Sequence, residues 1–270
     1  MRYLVTGATG HIGRNLVAAL DGADVDVYGR GDDLSGFRTH YDVVFHLAAE
    51  QYRDDILFES NVGLTYRIIS GVSYDKCIVA GSQGEYGRKI GPIRETDVLE
   101  QTRLHEATKA ASSLLSVGYA RSHDRDIVVV RPFSVYGPRQ APHKFIPVII
   151  RSILHHEPIT VYPGVHDWVY VGDFVEVLLT VAAAPASTTR GDIVHIGTGV
   201  ETDNLGTATL VMDILGIQVP VRIEQRRFHD YDSDSWVADP TYAKTRYGIE
   251  ARTALAEGLR RTCDHYRHDD

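Results

Sequence analysis

The chain has 270 residues, 43% hydrophobic and 24% charged, with a formal net charge of −8 and a pI near 5.9. That length buries one sizeable core, or one core with a smaller lobe, and the acidic balance leaves no basic field for a nucleic-acid polymer, so an anionic ligand must be held locally. The two cysteines, Cys77 and Cys263, stand too far apart in apolar or helical contexts to suggest a disulfide framework, and there is no basic leader or membrane-length apolar run; a soluble cytoplasmic protein without membrane partner is expected.

Short apolar runs alternate with helical patterns. Strands are predicted at about 2–6, 25–28, 43–47, 76–81 and 127–131, with helices from about 11, across 55–72 and across 103–121. Such βα alternation implies an α/β protein with a parallel sheet covered by helices. Only twelve residues lie between Gly29 and Asp42, too few for a further strand, helix and loops, so the third strand of a doubly wound sheet should be short or absent. Beyond Pro132 the pattern loosens into helices near 144–155, 173–184, 203–215 and 252–267 between Gly/Pro turns, as for a smaller lobe built from insertions.

Residues 6–13 read TGATGHIG, directly after the first strand and opening the first helix. Gly7 permits a tight turn, Gly10 lets backbone approach a pyrophosphate, Gly13 permits close helix–strand packing, and the helix N-terminus offers unpaired N–H groups. This is the placement of a dinucleotide site of the Rossmann type. The second strand ends not in the acidic residue that takes ribose hydroxyls but in Gly29, followed by Arg30. Losing a carboxylate and gaining a guanidinium favours a 2′-phosphate, so NADP is the preferred cofactor and NAD, with Asp32 and Asp33 near, the second.

Further segments, in order, carry a resemblance that runs nearly end to end: HLAA at 46–49, Asn61, GSQGEYG at 81–87, RPFSVYGPRQ at 131–140, HDWVYVGD at 166–173, HIGTG at 195–199 and ALAEGLRRTCDHY at 254–266. The chain resembles the extended short-chain dehydrogenase/reductases, the group of nucleotide-sugar epimerases, dehydratases and reductases. The resemblance implies a Rossmann-type doubly wound sheet from residues 1–131 and about 168–198, with a substrate lobe from about 132–167 and 199–270. It also implies a homodimer through the helices at 55–72 and 103–121, with Ala110, Ala111, Leu114, Leu115 and Val117 at the contact. Cofactor contacts are expected from Gly7, Thr9, Gly10, His11, Ile12, Gly13, Arg30, Leu47, Ala48, Ala49, Lys109 and Pro132.

The family works with Ser or Thr, Tyr and Lys, the last two one helical turn apart, so that the ammonium lowers the phenol pKa and holds the nicotinamide ribose. Here Ser82 and Lys109 match the serine and lysine, and the tyrosine position holds His105. Imidazole is a competent acid or base, and Lys109 should hold it neutral by like-charge repulsion. Its reach is roughly 2 Å shorter than a phenol's, and a misplacement of about 1 Å matters to rate. The Asp-Glu pair that family dehydratases carry after the catalytic Thr is replaced by Gln83 and Gly84, which points away from water elimination. Substrate contacts are assigned to Gln83, Tyr86, Ser134, Arg139, His166 and Arg227, where Ser134 and His166 replace the family's Asn and Arg. Glu85 is an outside candidate for the missing tyrosine. Among the thirteen histidines, His155 and His156 point about 100° apart on a helix without further ligands, so no metal site is expected.

The reading is an NAD(P)-dependent reductase or epimerase of a nucleotide-linked keto sugar, with Ser82 polarising the carbonyl, His105 moving the proton and Lys109 orienting the nicotinamide ribose. Two alternatives stand beside it: a cofactor-binding protein without redox turnover, and a non-redox isomerase or lyase with His105 as base.

Overall fold

The computed structural model describes residues 1–226 and 235–269. Its main sheet is built from β1 (Arg2–Thr6), β2 (Asp24–Tyr28), β3 (Tyr41–His46), β4 (Tyr74–Ala80), β5 (Asp126–Pro132) and a late strand, Asp192–Ile196. All neighbours pair in parallel, in the order β2, β1, β3, β4, β5 and the late strand. Because the sheet is covered on both faces, the central strands are apolar nearly throughout rather than alternating. Val5, Val43, Phe45, Ile78, Val128 and Val130 bury one face, and Leu4, Val44, Cys77, Val79, Ile127 and Val129 the other.

Two helices cover the first face: α1 (His11–Ala19) and the later Val171–Ala183. On the second face lie α2 (Leu64–Gly71), which continues a π-helical turn over Phe58–Gly63, and α3 (Leu104–Ser122). Between β2 and β3 the chain makes only a 3-10 turn, Leu34–Gly36, started by Asp33, whose Oδ1 accepts the Ser35 N–H at 3.0 Å. A third doubly wound strand is therefore absent and β2 is an edge.

After β5 follow β6 (Ser134–Tyr136), α4 (Phe145–Leu154), β7 (Ile159–Val161), β8 (Val165–Tyr170), α5 (Val171–Ala183), α6 (Ala186–Thr189) and β9 (Asp192–Ile196), the late strand of the main sheet. The chain then forms β10 (Glu201–Asp203), α7 (Asn204–Leu215), β11 (Val221–Ile223), α8 (Thr241–Tyr247) and α9 (Leu255–Asp269). β6 and β10 flank β8 in a small sheet, and β11 pairs with β7. A second core gathers Ile146, Ile149, Ile150, Ile153, Trp168, Val211, Leu259 and Cys263. The short strands β6, β7, β8, β10 and β11 escape the sequence reading, since runs of three to six residues gain their stability from partners distant in the chain.

The outward face of α2 and α3 exposes Tyr66 and Leu114, at 52% and 58%, beside Ala111 and Gly118. Ala110 and Val117, expected at a dimer contact, turn inward instead; Val117 packs against Ile68, Ala120 and the sheet in the chain's own core. Among the described residues no helix is long and apolar enough to cross a membrane.

Candidate functional site

At the end of β1 the chain turns at Gly7 with φ +71°, and Gly10 N–H closes the turn on Gly7 O at 3.0 Å. A Cβ on Gly7 would stand 2.7 Å from Ala48 N, and one on Gly13 would stand 2.2 Å from Gly7 O; both are backbone clashes. Gly10 is different. A Cβ there would meet only Gly7 O at 3.2 Å, so its bareness serves whatever approaches the loop from outside. Gly10 is also the N-cap of α1 and no side chain caps it, which leaves the first N–H groups of the helix directed at a ligand.

The adjoining cleft, about 360 Å³, is lined by Gly7, Ala8, Thr9 and Gly10, by residues 27–31 including Arg30, by Leu47, Ala48, Ala49 and Glu50, and by Glu59, Ser60, Leu64 and Arg67. These residues fit the adenosine and pyrophosphate of a dinucleotide: bare backbone and a helix start for the phosphates, apolar walls for the base. Of the expected cofactor contacts, His11 opens α1, Ile12 packs beneath it against the core, and Pro132 ends β5. Burial pushes His11 down to about 4. Glu50, Glu59 and Arg67 also line the cleft although no motif marks them. Glu50 takes Arg30 at 2.9 Å, while Arg67 pairs with Glu59.

His46 ties the ends of β1 and β3 together. Thr65 gives its hydroxyl proton to Asn61 O and so accepts His46 Nε2–H at 2.9 Å, which leaves Nδ1 of the neutral ring to accept the Thr6 hydroxyl at 2.8 Å, while Thr6 Oγ1 accepts Ala48 N–H. Every proton is placed only if the ring is neutral. Burial, with a smaller push from Lys109, lowers its pKa to about 3.

Ser82 follows β4 and caps a 3-10 turn. Its Oγ accepts Gly84 N–H at 3.1 Å and its N–H donates to Glu85 Oε1 at 2.8 Å, so the hydroxyl proton stays free for a ligand. Glu85 itself is fully buried and paired with Arg131 at 2.7 Å, with Ser113 on its other oxygen. This leaves it no access to a substrate, and the outside candidate for the missing tyrosine falls away. Lys109, buried in α3, donates from Nζ to Ala80 O, two residues before Ser82, and burial lowers its pKa.

His105 lies one turn before Lys109. Its Nδ1 donates to Glu50 O at 2.9 Å, and the same carbonyl accepts Asn61 Nδ2 at 3.0 Å, while Asn61 Oδ1 takes Glu50 N–H and Asn61 Nδ2 also reaches Thr108. Asn61 thus fixes the carbonyl that fixes the ring. With its proton on Nδ1, neutral His105 presents Nε2 as a base. Its pKa is pushed down to about 4, first by burial and only secondarily by Lys109 and more distant cations; repulsion from Lys109 is the smaller cause.

Gln83, Ser134 and His166 come together from three distant segments. Gln83 Nε2 donates to Ser134 Oγ at 3.4 Å, and Ser134 Oγ meets His166 Nδ1 at 3.0 Å. Gln83 Oε1 is buried without a partner. Burial holds His166 near 4, so it is uncharged at neutral pH, and its ring lies 4.5 Å from that of Trp168.

Two expected substrate contacts are placed elsewhere. Tyr86 is fully buried, its hydroxyl donating to His195 Nε2 at 2.6 Å and accepting from Arg131, so nothing of it faces a cleft. Arg139 sits at a turn with φ +65°, exposed against α1, where Nη1 donates to Arg14 O at 3.1 Å. Arg227 lies outside the described residues. Among the described residues no group of three or more His, Cys, Asp or Glu side chains is arranged around a metal position.

Residues 3–197 match the model of the NAD dependent epimerase/dehydratase family. The chain belongs to that family. Among its relatives are the low-salt glycan biosynthesis protein Agl12 of Haloferax volcanii, 28% identical with all of both chains covered, and a UDP-glucose 4-epimerase of Mycolicibacterium smegmatis, 27% identical over 99% of each. Of solved structures, MoeE5 in complex with UDP-glucuronic acid and NAD superposes with a TM-score of 0.86 at 28% identity, covering all of both chains. The fold is shared as well by the UDP-glucuronic acid 4-epimerase of Bacillus cereus, with a TM-score of 0.88, 21% identity and full coverage of both chains.

Proposed function

We propose that the chain binds a nicotinamide dinucleotide in the cleft beside the glycine loop and catalyses reversible hydride transfer at a carbinol or keto carbon of a nucleotide-linked sugar, as an epimerase or reductase. The observation that carries this reading is that His105, one turn before Lys109 on α3, is held on the carbonyl of Glu50, a residue that lines the cleft, while Lys109 reaches Ala80 O just before Ser82. Relatives named as nucleotide-sugar enzymes, and MoeE5 with a UDP-sugar and NAD, support the substrate class.

When bound, the dinucleotide supplies the hydride acceptor or donor. The chain does the rest. Ser82 directs its free hydroxyl proton to the substrate oxygen. His105 receives the hydroxyl proton at Nε2, the nitrogen left basic by the Nδ1 bond to Glu50 O. Lys109, held on Ala80 O, places its ammonium for the nicotinamide ribose and favours negative charge developing nearby. A ring held near 4 is unprotonated at neutral pH and so is available to accept the substrate's hydroxyl proton, as a weaker base than a free imidazole. The preference for NADP rests on Arg30, whose guanidinium reaches a 2′-phosphate only by leaving Glu50.

Incubation with each dinucleotide and a panel of nucleotide sugars and keto sugars, followed by nicotinamide absorbance and product analysis, tests the reading. Turnover of a nucleotide sugar is expected; tight cofactor binding without turnover would instead favour a cofactor-binding protein, and isomerisation without cofactor a His105 base acting alone.

We also propose a homodimer through the outward face of α2 and α3, where Tyr66 and Leu114 are exposed. Light scattering at micromolar concentration should give twice the chain mass, and Leu114→Glu should shift it to the monomer.

A further inference from the structure

Glu85 has no access to a substrate, yet its carboxylate joins three elements around the reacting centre. It belongs to the 3-10 turn Gln83–Tyr86 that Ser82 caps, and it is fully buried. Oε1 accepts the Ser82 N–H at 2.8 Å and the Ser113 hydroxyl at 2.9 Å, while Oε2 accepts Arg131 Nε, from β5, at 2.8 Å. Ser113 stands on α3 four residues after Lys109 and eight after His105, so the three share a face of the helix. A single carboxylate oxygen therefore ties the serine turn to the helix that carries the other two groups.

The tie is packed tightly against the backbone it serves. Lys109 Nζ donates to Ala80 O, and Ser82 follows two residues on. Between them, a Cβ on Gly81 would stand 2.8 Å from Glu85 Oε1 and 2.7 Å from Arg131 Cγ, so the ion pair presses on residue 81 where only glycine fits. A buried ion pair gives folding little that an apolar pair of the same size would not, so stability alone does not account for it. The Glu85 charge also opposes the loss of the Lys109 proton that burial favours.

We infer that Glu85 is a positioning residue: by accepting Ser82 N–H and Ser113 Oγ–H on one oxygen, it holds the Ser82 hydroxyl in register with His105 and Lys109 on α3. The inference rests on the hydride transfer proposed above.

Two double variants of the full-length protein isolate the tie, because both remove Arg131 together with its counter-charge. Glu85→Gln/Arg131→Met keeps an oxygen for Ser82 and Ser113, and Glu85→Leu/Arg131→Met does not. With the nucleotide sugar that the wild type turns over, the second should lose about ten- to a hundredfold in kcat with KM within about twofold, the scale of a small misplacement, and the first should recover part of that loss. Titration with NADH, followed by nicotinamide fluorescence, needs no turnover and should give an affinity within about threefold of the wild type in both, since the glycine loop is untouched. Ser113→Ala removes the helix end of the tie without disturbing the ion pair; it should lower kcat about fivefold, and it tests the inference even if neither double variant folds. Equal kcat in the two double variants overturns the inference, as does a loss of NADH affinity that follows the loss of kcat, which would assign the pair to folding alone. Wild-type kcat in Ser113→Ala overturns it too. Absence of turnover by the wild type with every sugar overturns the proposed function, and this inference with it.

Discussion

The glycine loop at 6–13 follows a strand of the main sheet and the polar row of Gln83, Ser134 and His166 gathers from the turn after β4 and from β6 and β8, and the two are specified in opposite ways. The loop works through backbone: its shape follows from eight consecutive residues, and the bare positions at Gly7 and Gly13 are demanded by contacts with Ala48 and Gly7 itself. The row works through side chains that start 51 and 32 positions apart and meet only because β6 pairs with β8 beside the turn that follows β4. A backbone device tolerates almost no change at its glycines and almost any change around them. A side-chain device divides its effect among its members, so the two regions should respond to substitution on different scales.

The largest expected effect belongs to the side chains at the reacting centre. His105→Ala should lower kcat by about 10²–10⁴-fold, the usual contribution of a positioned acid or base, and leave dinucleotide affinity within about twofold. Since the ring is a base above about 4, the oxidative kcat/KM of the wild type should rise through that pH and stay level towards neutrality. His105→Tyr restores the family pattern but lengthens the side chain; a gain in rate would show a pocket still shaped for phenol. Unchanged kcat in His105→Ala would remove the residue from the chemistry.

Next comes the loop. Gly13→Ala places a Cβ 2.2 Å from Gly7 O, and relief requires backbone movement. If the loop gives way in its ligand-binding shape, an overpacking cost of about 1–3 kcal/mol corresponds to about a five- to 150-fold loss of dinucleotide affinity, measurable by titration. Gly10→Ala sharpens the contrast, because a Cβ there meets only Gly7 O at 3.2 Å, a contact relieved by a shift of a few tenths of an ångström; it should fold with a slightly lowered midpoint and still bind the dinucleotide weakly. Normal affinity in both variants would break the account of a ligand held by backbone.

The loop is legible from its own residues, whereas Gln83, Ser134 and His166 are legible only through the family resemblance, and Tyr86 and Arg139, assigned with them, lie elsewhere, for the same physical reason. Glycines at 7, 10 and 13 between a strand and a helix encode a shape locally, and the twelve residues after Gly29 encode a missing strand by simple length. His105 one turn before Lys109 is likewise a local relation. Tyr86 is not: nothing near it in sequence tells that its hydroxyl is consumed by His195, 109 positions away. Arg139 offers a charge, but a left-handed turn sends it to α1. Glu50 has no motif, yet its carbonyl orients His105 and its carboxylate holds Arg30. Ala110 and Val117 show the limit of helix periodicity, which marks an apolar stripe without saying whether the stripe faces the chain's own sheet or a second copy.

Stability against acid compares the two regions again, since each contains buried histidines. His46 and His195 are pushed to about 3, and His11, His105 and His166 to about 4, by burial. The unfolded chain, with histidines near 6.5, binds protons that the folded chain refuses, so this stability is complete above about 6.5 and declines as pH falls towards the folded values. Each unit is worth about 1.4 kcal/mol per group, and urea midpoints should drop steadily from pH 7 to pH 5. His46→Asn, which removes one such group from the strand-end tie, should flatten that slope. A midpoint constant over this range would show that the rings accept protons in place.

The smallest effect is expected in the row. Ser134→Ala removes the hydroxyl that stands between Gln83 Nε2 at 3.4 Å and His166 Nδ1 at 3.0 Å, and leaves both ends without that partner. One neutral hydrogen bond contributes about 1 kcal/mol, so KM for the sugar substrate should rise about fivefold with kcat nearly unchanged. Because burial keeps His166 neutral at pH 7, the loss should not depend on ionic strength, whereas a row that bound phosphate through an imidazolium would lose affinity in salt and regain it on acidification. A KM that rises equally in Ser134→Ala at low and high salt assigns the row to hydroxyl recognition. A salt-dependent rise would instead place a phosphate there, and would make His166 a charged group in the complex despite its burial in the free chain.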